Sequence, residues 1–223
     1  MKRIAVLASG AGSNLQALLD HLDALGASAP CAVALVVSDR ARSHALERAR
    51  LRGIAAVQVP RSAPDETLEV ELAAHDIDVV VLAGFLRLVP AIVVRRWAGR
   101  MLNIHPALLP AFGGAGMYGR RVHEAVIASG ARVSGVTVHF VDEEFDRGAI
   151  IAQWPVPVPP GDTADALAAR VLAVEHQIYP WCVEAVASGV VHLDADGHVH
   201  GRLPYDFPRF GVEGPEHPFV PRV

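Results

Sequence analysis

Short apolar runs alternate with longer periodic segments through the first half of the chain. Residues 4–8, 33–38, 55–59 and 78–83 are rich in valine, isoleucine and alanine. Runs of that length suit strands buried on both faces, which means a parallel sheet covered by helices. Between them, 15–25, 43–51 and 64–75 are each long enough for a helix, and Ser43 and Asp65 stand where N-caps are expected. The alternation predicts an α/β chain with an open, doubly wound, mostly parallel sheet and helices on both faces. Such sheets bind ligands beyond the carboxyl ends of their strands. The loops after the strands are therefore where chemistry belongs.

The second half is more mixed. Residues 101–104 predict a strand that stops at His105-Pro106, because proline cannot donate to a ladder and holds its predecessor extended. Residues 133–141 and 149–155 predict two more strands, joined by the acidic turn 142–148. Asp162 or Thr163 is expected to cap a long helix reaching about residue 188, interrupted at Pro180. From Leu203 onward, prolines and aromatics follow no period; this tail is expected to strap over the surface or be partly disordered. Residues 1–203 read as a single domain and 204–223 as an irregular tail.

Composition narrows the partners. A formal net charge of -4 argues against a nonspecific nucleic-acid binder, which usually carries a basic surface. Cys31 and Cys182 offer neither a disulfide framework nor metal-ligand spacing, so no metal is expected. The apolar run at 4–8 is too short for a signal sequence or a membrane span. A cytoplasmic protein without membrane partners is the expectation.

Three loops carry chemistry. Ser9-Gly10-Ala11-Gly12-Ser13-Asn14 joins the first strand to the first helix, placing bare N–H groups at a positive helix end where phosphate binds. A dinucleotide fingerprint, with Asp39 serving the ribose, would need a third glycine where Leu15 stands. Ser13 and Asn14 instead offer donors to a single phosphate; a plain tight turn capped by Ser13 is the alternative. No Gly-Lys-Ser/Thr triplet exists, which excludes a Walker loop.

In the second loop, strand alternation puts Asn103 and His105 on one side of a strand's carboxyl end. An amide can donate to a developing oxyanion and an imidazole can carry a proton near neutral pH, the two needs of acyl chemistry. Alone, the pair is weak, since a strand-end histidine is more often structural. In the third loop, Glu143 and Glu144 suit a solvated turn, whereas Asp146 precedes the re-entry at Arg147-Gly148. Beside His105, Asp146 would raise the imidazole pKa and orient the ring. His139 either faces the same pocket or is a satisfied core histidine.

Together these motifs resemble the phosphoribosylglycinamide formyltransferase family of folate-dependent enzymes. The resemblance runs from Arg3 to about Gly189. It rests on the first loop with Leu15-Gln16, on Leu82-Ala83-Gly84-Phe85-Leu86-Arg87 and on Asn103-Ile104-His105-Pro106-Ala107-Leu108-Leu109-Pro110. Val138-His139-Phe140-Val141, Asp146-Arg147-Gly148 and Glu175-His176-Gln177-Ile178-Tyr179-Pro180 complete it. The resemblance implies formyl transfer from 10-formyltetrahydrofolate, a cosubstrate, to the amine of glycinamide ribonucleotide. It assigns the phosphate to Gly12, Ser13 and Asn14, and the sugar or amine end to Glu175. The folate falls to Arg61, Leu86, Arg87, Leu88, Val89 and Asn103, with Asp142, Glu143, Glu144, Phe145 and Asp146 closing over the pterin. Asn103, His105 and Asp146 would be catalytic. The phosphate-binding half would be about 1–100 and the folate and catalytic half about 101–203, in a monomer or homodimer.

The chain departs from the commoner family pattern after Leu109-Pro110. Phe112-Gly113-Gly114-Ala115-Gly116-Met117-Tyr118-Gly119 replaces a shorter turn and a histidine, and its glycines predict a mobile substrate-side flap. Arg147-Gly148-Ala149 also replaces a glycine-proline. Formyltetrahydrofolate deformylase would normally add an N-terminal regulatory domain, and methionyl-tRNA formyltransferase a C-terminal tRNA-binding domain with a more basic surface. A catalytically silent nucleotide-binding module conflicts with the intact trio, and a dinucleotide oxidoreductase with Leu15.

Overall fold

The computed structural model describes residues 1–203; the tail at 204–223 lies outside the described residues. A seven-stranded sheet runs through them. Its strands are β1 (Lys2–Leu7), β2 (Cys31–Ser38), β3 (Ala55–Gln58), β4 (Val79–Leu82), β5 (Met101–His105), β6 (Val133–Phe140) and β7 (Ile150–Pro157). Their spatial order is β3-β2-β1-β4-β5-β6-β7, with β1 to β5 parallel, β6 antiparallel to β5, and β7 antiparallel to β6. Helices α1 (Ser13–Leu25), α2 (His44–Leu51), α3 (Glu66–Ala74), α4 (Ala91–Arg96), α5 (Arg120–Ser129) and α6 (Ala164–Ala187) connect or cover the strands.

Alternation along the buried strands sorts the core into two layers. Ile4, Val6, Val79 and Val81 pack with Leu15, Leu18, Leu46, Val126 and Ile178 from α1, α2, α5 and α6. Their neighbours Ala5, Leu7, Val80 and Leu82 point the opposite way, against Leu68 and Leu72 of α3, Val93 of α4 and Trp97, the residue that caps its end. The period of two thus becomes helices on both faces, as the apolar runs predict.

Local sequence sets most helix ends. The Ser43 hydroxyl accepts from the Ala45 N–H at 3.3 Å, and that of Thr163 from the Ala166 N–H at 3.2 Å, both as N-caps. Asp65 stands at its expected N-cap but accepts from the Arg87 guanidinium instead, leaving α3 without a side-chain cap. Pro180 does not interrupt α6, contrary to expectation. Proline removes one intrahelical bond, a cost of ~3 kcal/mol in a free helix. Here Ile178, Tyr179, Cys182 and Val183 are buried around it, and the Tyr179 hydroxyl sits 2.7 Å from the Leu82 carbonyl, to which it donates. Core packing outweighs the lost bond. Helices α4 and α5 and a small hairpin of β8 (His192–Leu193) with β9 (Val199–His200) are additions that the sequence reading did not anticipate.

Candidate active site

A cavity of about 520 Å³ opens at the carboxyl ends of β4 and β5, where a doubly wound sheet places its ligands. Asn103, His105 and Asp146 meet in its wall. The Asn103 amide donates to Asp146 Oδ1 at 3.3 Å, and His105 Nδ1 lies 3.5 Å from Asp146 Oδ2. His139 belongs to the same group. Its Nδ1–H donates to the Phe140 carbonyl at 2.7 Å, so Nε2 is free to accept from the Asn103 amide at 3.1 Å. His139 is therefore both a cavity-lining and a satisfied histidine.

The glycine-dense segment is built into this group, and its start is no detached flap. His105 Nε2–H donates to the Phe112 carbonyl at 2.9 Å, and the Gly114 N–H donates to Asp146 Oδ2 at 2.9 Å. A Cβ on Gly113 would run into the Leu109 side chain and lie 3.3 Å from Asp146 Cβ, so only glycine lets the chain pass this close. Gly116, Met117 and Tyr118 then form one wall of the cavity.

Electrostatics correct one expectation. Burial is the largest influence on His105 and lowers its pKa; the raising effects of Asp146 and the Phe112 carbonyl do not offset it. The ring is held below its ordinary value and can accept a proton rather than carry one at rest. Burial pushes the Asp146 carboxyl up, but contacts with His139, His105 and the Gly114 N–H outweigh it and keep Asp146 ionised. Asp146 also takes a left-handed backbone, φ 57°, which aspartate tolerates better than most residues.

The first loop is shaped by backbone. Gly12 is the N-cap of α1 with φ 71°, and no side chain caps the helix, which leaves its first-turn N–H groups available to an anion. A Cβ on Gly12 would sit 2.9 Å from Ala45, so α2 fixes the turn from behind. The Ser43 hydroxyl donates to the Gly10 carbonyl at 3.0 Å and Arg48 Nε to the Ala11 carbonyl at 3.0 Å. Gly12 and Ser13 stand outside the cavity wall, whereas Asn14 lines it. The Asn14 amide donates to Glu175 Oε2 at 2.7 Å, and Asn14 Oδ1 is buried without a partner. Burial pushes the Glu175 carboxyl up to about 7 despite that bond.

The remaining sequence candidates divide. Leu86, Arg87, Leu88 and Val89 line the cavity, as do Asp142, Glu144 and Phe145. Glu143 turns away to Arg95, at 3.1 Å, and is not part of the wall. Arg61 is also outside the wall, donating to Asp39 Oδ2 at 2.9 Å. The Asp39 side chain is fully buried, so it cannot serve a ribose, and Leu15 is core. Both oppose the dinucleotide reading. Sequence reasoning missed His123, a buried histidine of α5 that lines the cavity. Its signal was faint: a polar residue on the inward face marked by Val122 and Val126.

Known proteins are similar to this chain in sequence and fold. A family model described as formyl transferase matches residues 2–183. A chloroplastic phosphoribosylglycinamide formyltransferase from Vigna unguiculata is 44% identical over 203 residues, covering 88% of this chain. The chain spans 64% of that relative's length. Glycinamide ribonucleotide transformylase 1 from Symbiobacterium toebii superposes with a TM-score of 0.81 at 42% identity, covering 89% of this chain and 93% of that one. A formyltetrahydrofolate deformylase from Pseudomonas syringae superposes with a TM-score of 0.77 at 27% identity, covering 89% of this chain and 65% of that one. With the sheet, the cavity and these likenesses in agreement, the chain belongs to the formyl transferase family.

Proposed function

We propose that this chain transfers the formyl group of 10-formyltetrahydrofolate to the amine of glycinamide ribonucleotide, giving formylglycinamide ribonucleotide and tetrahydrofolate in purine biosynthesis. One observation carries the reading: the Asn103–His105–Asp146 group and the Asn14–Glu175 pair open into one cavity. An acyl-transfer centre and the end of an anion-binding loop thus face a shared space. The phosphate sits on the N–H groups of Gly12, Ser13 and Asn14, and Glu175 receives the sugar or amine end. The folate lies along 86–89, under the loop 142–146. The single sheet spanning both halves supports residues 1–203 acting as one domain.

The amine attacks the formyl carbon and its oxygen gains negative charge. Asn103 turns an amide hydrogen to that oxygen, releasing the longer of its bonds, 3.3 Å to Asp146. The proton shed by the attacking nitrogen passes to His105, whose charged form Asp146 and the Phe112 carbonyl hold. It then reaches N10 of the folate through water as the C–N10 bond breaks. Turnover of His105→Ala tests this; a fall of roughly 10²–10⁴ with folding intact is expected. Near-wild-type turnover would sink the mechanism. The deformylase likeness supports a second reading, in which water replaces the amine.

A further inference from the structure

Three imidazoles line the cavity beside or near the acyl centre, and two are accounted for. His105 is bonded to the Phe112 carbonyl, and His139 to the Phe140 carbonyl and the Asn103 amide. His123 is different. It is 5% exposed, its Nδ1 is buried without a partner, and the ring takes no hydrogen bond from any described residue. A buried polar atom left unpaired costs free energy, and at the wall of a ligand cavity a ligand is the natural partner.

Its position indicates which ligand. α5 packs against α6, which carries Glu175, and His123 reaches the same cavity as Glu175, Asn14 and His105. The ring enters from the α5–α6 side that also supplies Glu175, whereas residues 86–89 reach the cavity from the end of β4. An aliphatic amine arrives largely as an ammonium ion, which has no lone pair for attack. Deprotonation must come first, and His105 is already committed to the proton that the nitrogen sheds after attack, in a charged form held by Asp146 and the Phe112 carbonyl.

Resting on the formyl-transfer reading above, we propose that His123 is a further catalytic residue, the base that frees the acceptor amine. One N–H bond of the ammonium breaks and its proton goes to a ring nitrogen of His123. The amine lone pair forms the C–N bond to the formyl carbon held at Asn103. The second proton leaves through His105 to N10 as the C–N10 bond breaks, and His123 returns its own proton to solvent. Burial and the neighbouring His105 both lower the His123 pKa, which keeps the ring uncharged and ready to accept. The helix turn that supplies it follows directly on the glycine-dense segment where this chain leaves the commoner family pattern.

The full chain, His123→Ala and His123→Gln are compared for kcat and for KM of each substrate, with and without added imidazole. Glutamine can hydrogen-bond but cannot take a proton, so both variants should lose roughly 10²-fold in kcat, with KM for the folate donor nearly unchanged. Imidazole should restore part of the His123→Ala rate. Binding of a folate analogue by the variants shows that they have folded, and His123→Gln, which conserves polarity, keeps the test open if alanine does not fold. A His123→Gln enzyme with wild-type kcat overturns the proposal, as does a loss confined to KM for glycinamide ribonucleotide. Failure of the wild-type chain to formylate that amine overturns the formyl-transfer reading itself.

Discussion

The first loop and the acyl centre lie at the same end of one sheet but are made of different material. The first loop is backbone: Gly12 turns the chain at φ 71°, α2 braces it at Ala45, and uncapped N–H groups remain. The acyl centre is side chains from three separate stretches, with Asn103, His105, His139 and Asp146 holding one another. A backbone site is fixed by one conformation and binds charge without titrating. A side-chain site depends on protonation, and each member is positioned by the others. Substitutions should therefore separate along this line: binding at the first loop, turnover at the centre.

The largest effect is expected at the centre. Asp146→Asn should lower kcat by roughly 10³, and the Asp146→Asn/His105→Ala double variant should fall little further, because the two act as a unit. Steady-state kinetics of the three enzymes would show this; additive losses would mean separate roles. At the loop, Gly12→Val adds a Cβ 2.9 Å from Ala45 at a left-handed φ. A strain of about 1–3 kcal/mol should raise KM for the phosphorylated substrate by roughly 5- to 150-fold, leaving the folate KM near its original value. Equal changes in both constants would break the comparison.

Glu175 joins the two regions and gives a subtler effect. Its folded pKa of about 7 exceeds the ordinary 4.5, so the folded chain keeps a proton that the unfolded chain releases. Its contribution to stability is present below the unfolded value and declines as pH rises from there to about 7. Glu175→Gln should therefore stabilise the fold by up to about 3 kcal/mol above pH 7 and hardly at pH 4, read from denaturant midpoints. The smallest effect is expected for Arg61→Ala. With the Arg61 side chain 60% exposed and its guanidinium tied to Asp39, the folate KM should change by less than about threefold. A larger change would assign Arg61 to the folate.

Legibility in the sequence followed the same divide. Period-two burial in β1 and β4 and the caps at Ser43 and Thr163 are local, and the sequence carries them openly. The glycine spacing around Gly12 is local too. The continuity of α6 through Pro180 was not legible, because the packing around Tyr179 that sustains it is tertiary. The lowered His105 pKa was hidden for the same reason: burial, not the adjacent Asp146, dominates. The roles of Phe112 and Gly114 required the chain to fold back over Asp146, which glycine content alone could not show. His123 escaped because one polar residue on an apolar helix face looks like any other until its missing partner is seen.

The formyl transferase fold is shared with a deformylase, so the fate of the formyl group is the central question. It is answered most directly by following isotopically labelled formyl from 10-formyltetrahydrofolate in the presence of glycinamide ribonucleotide. Label is expected in formylglycinamide ribonucleotide, with release as formate a minor product. Label recovered as formate whether or not the amine is present would contradict that expectation.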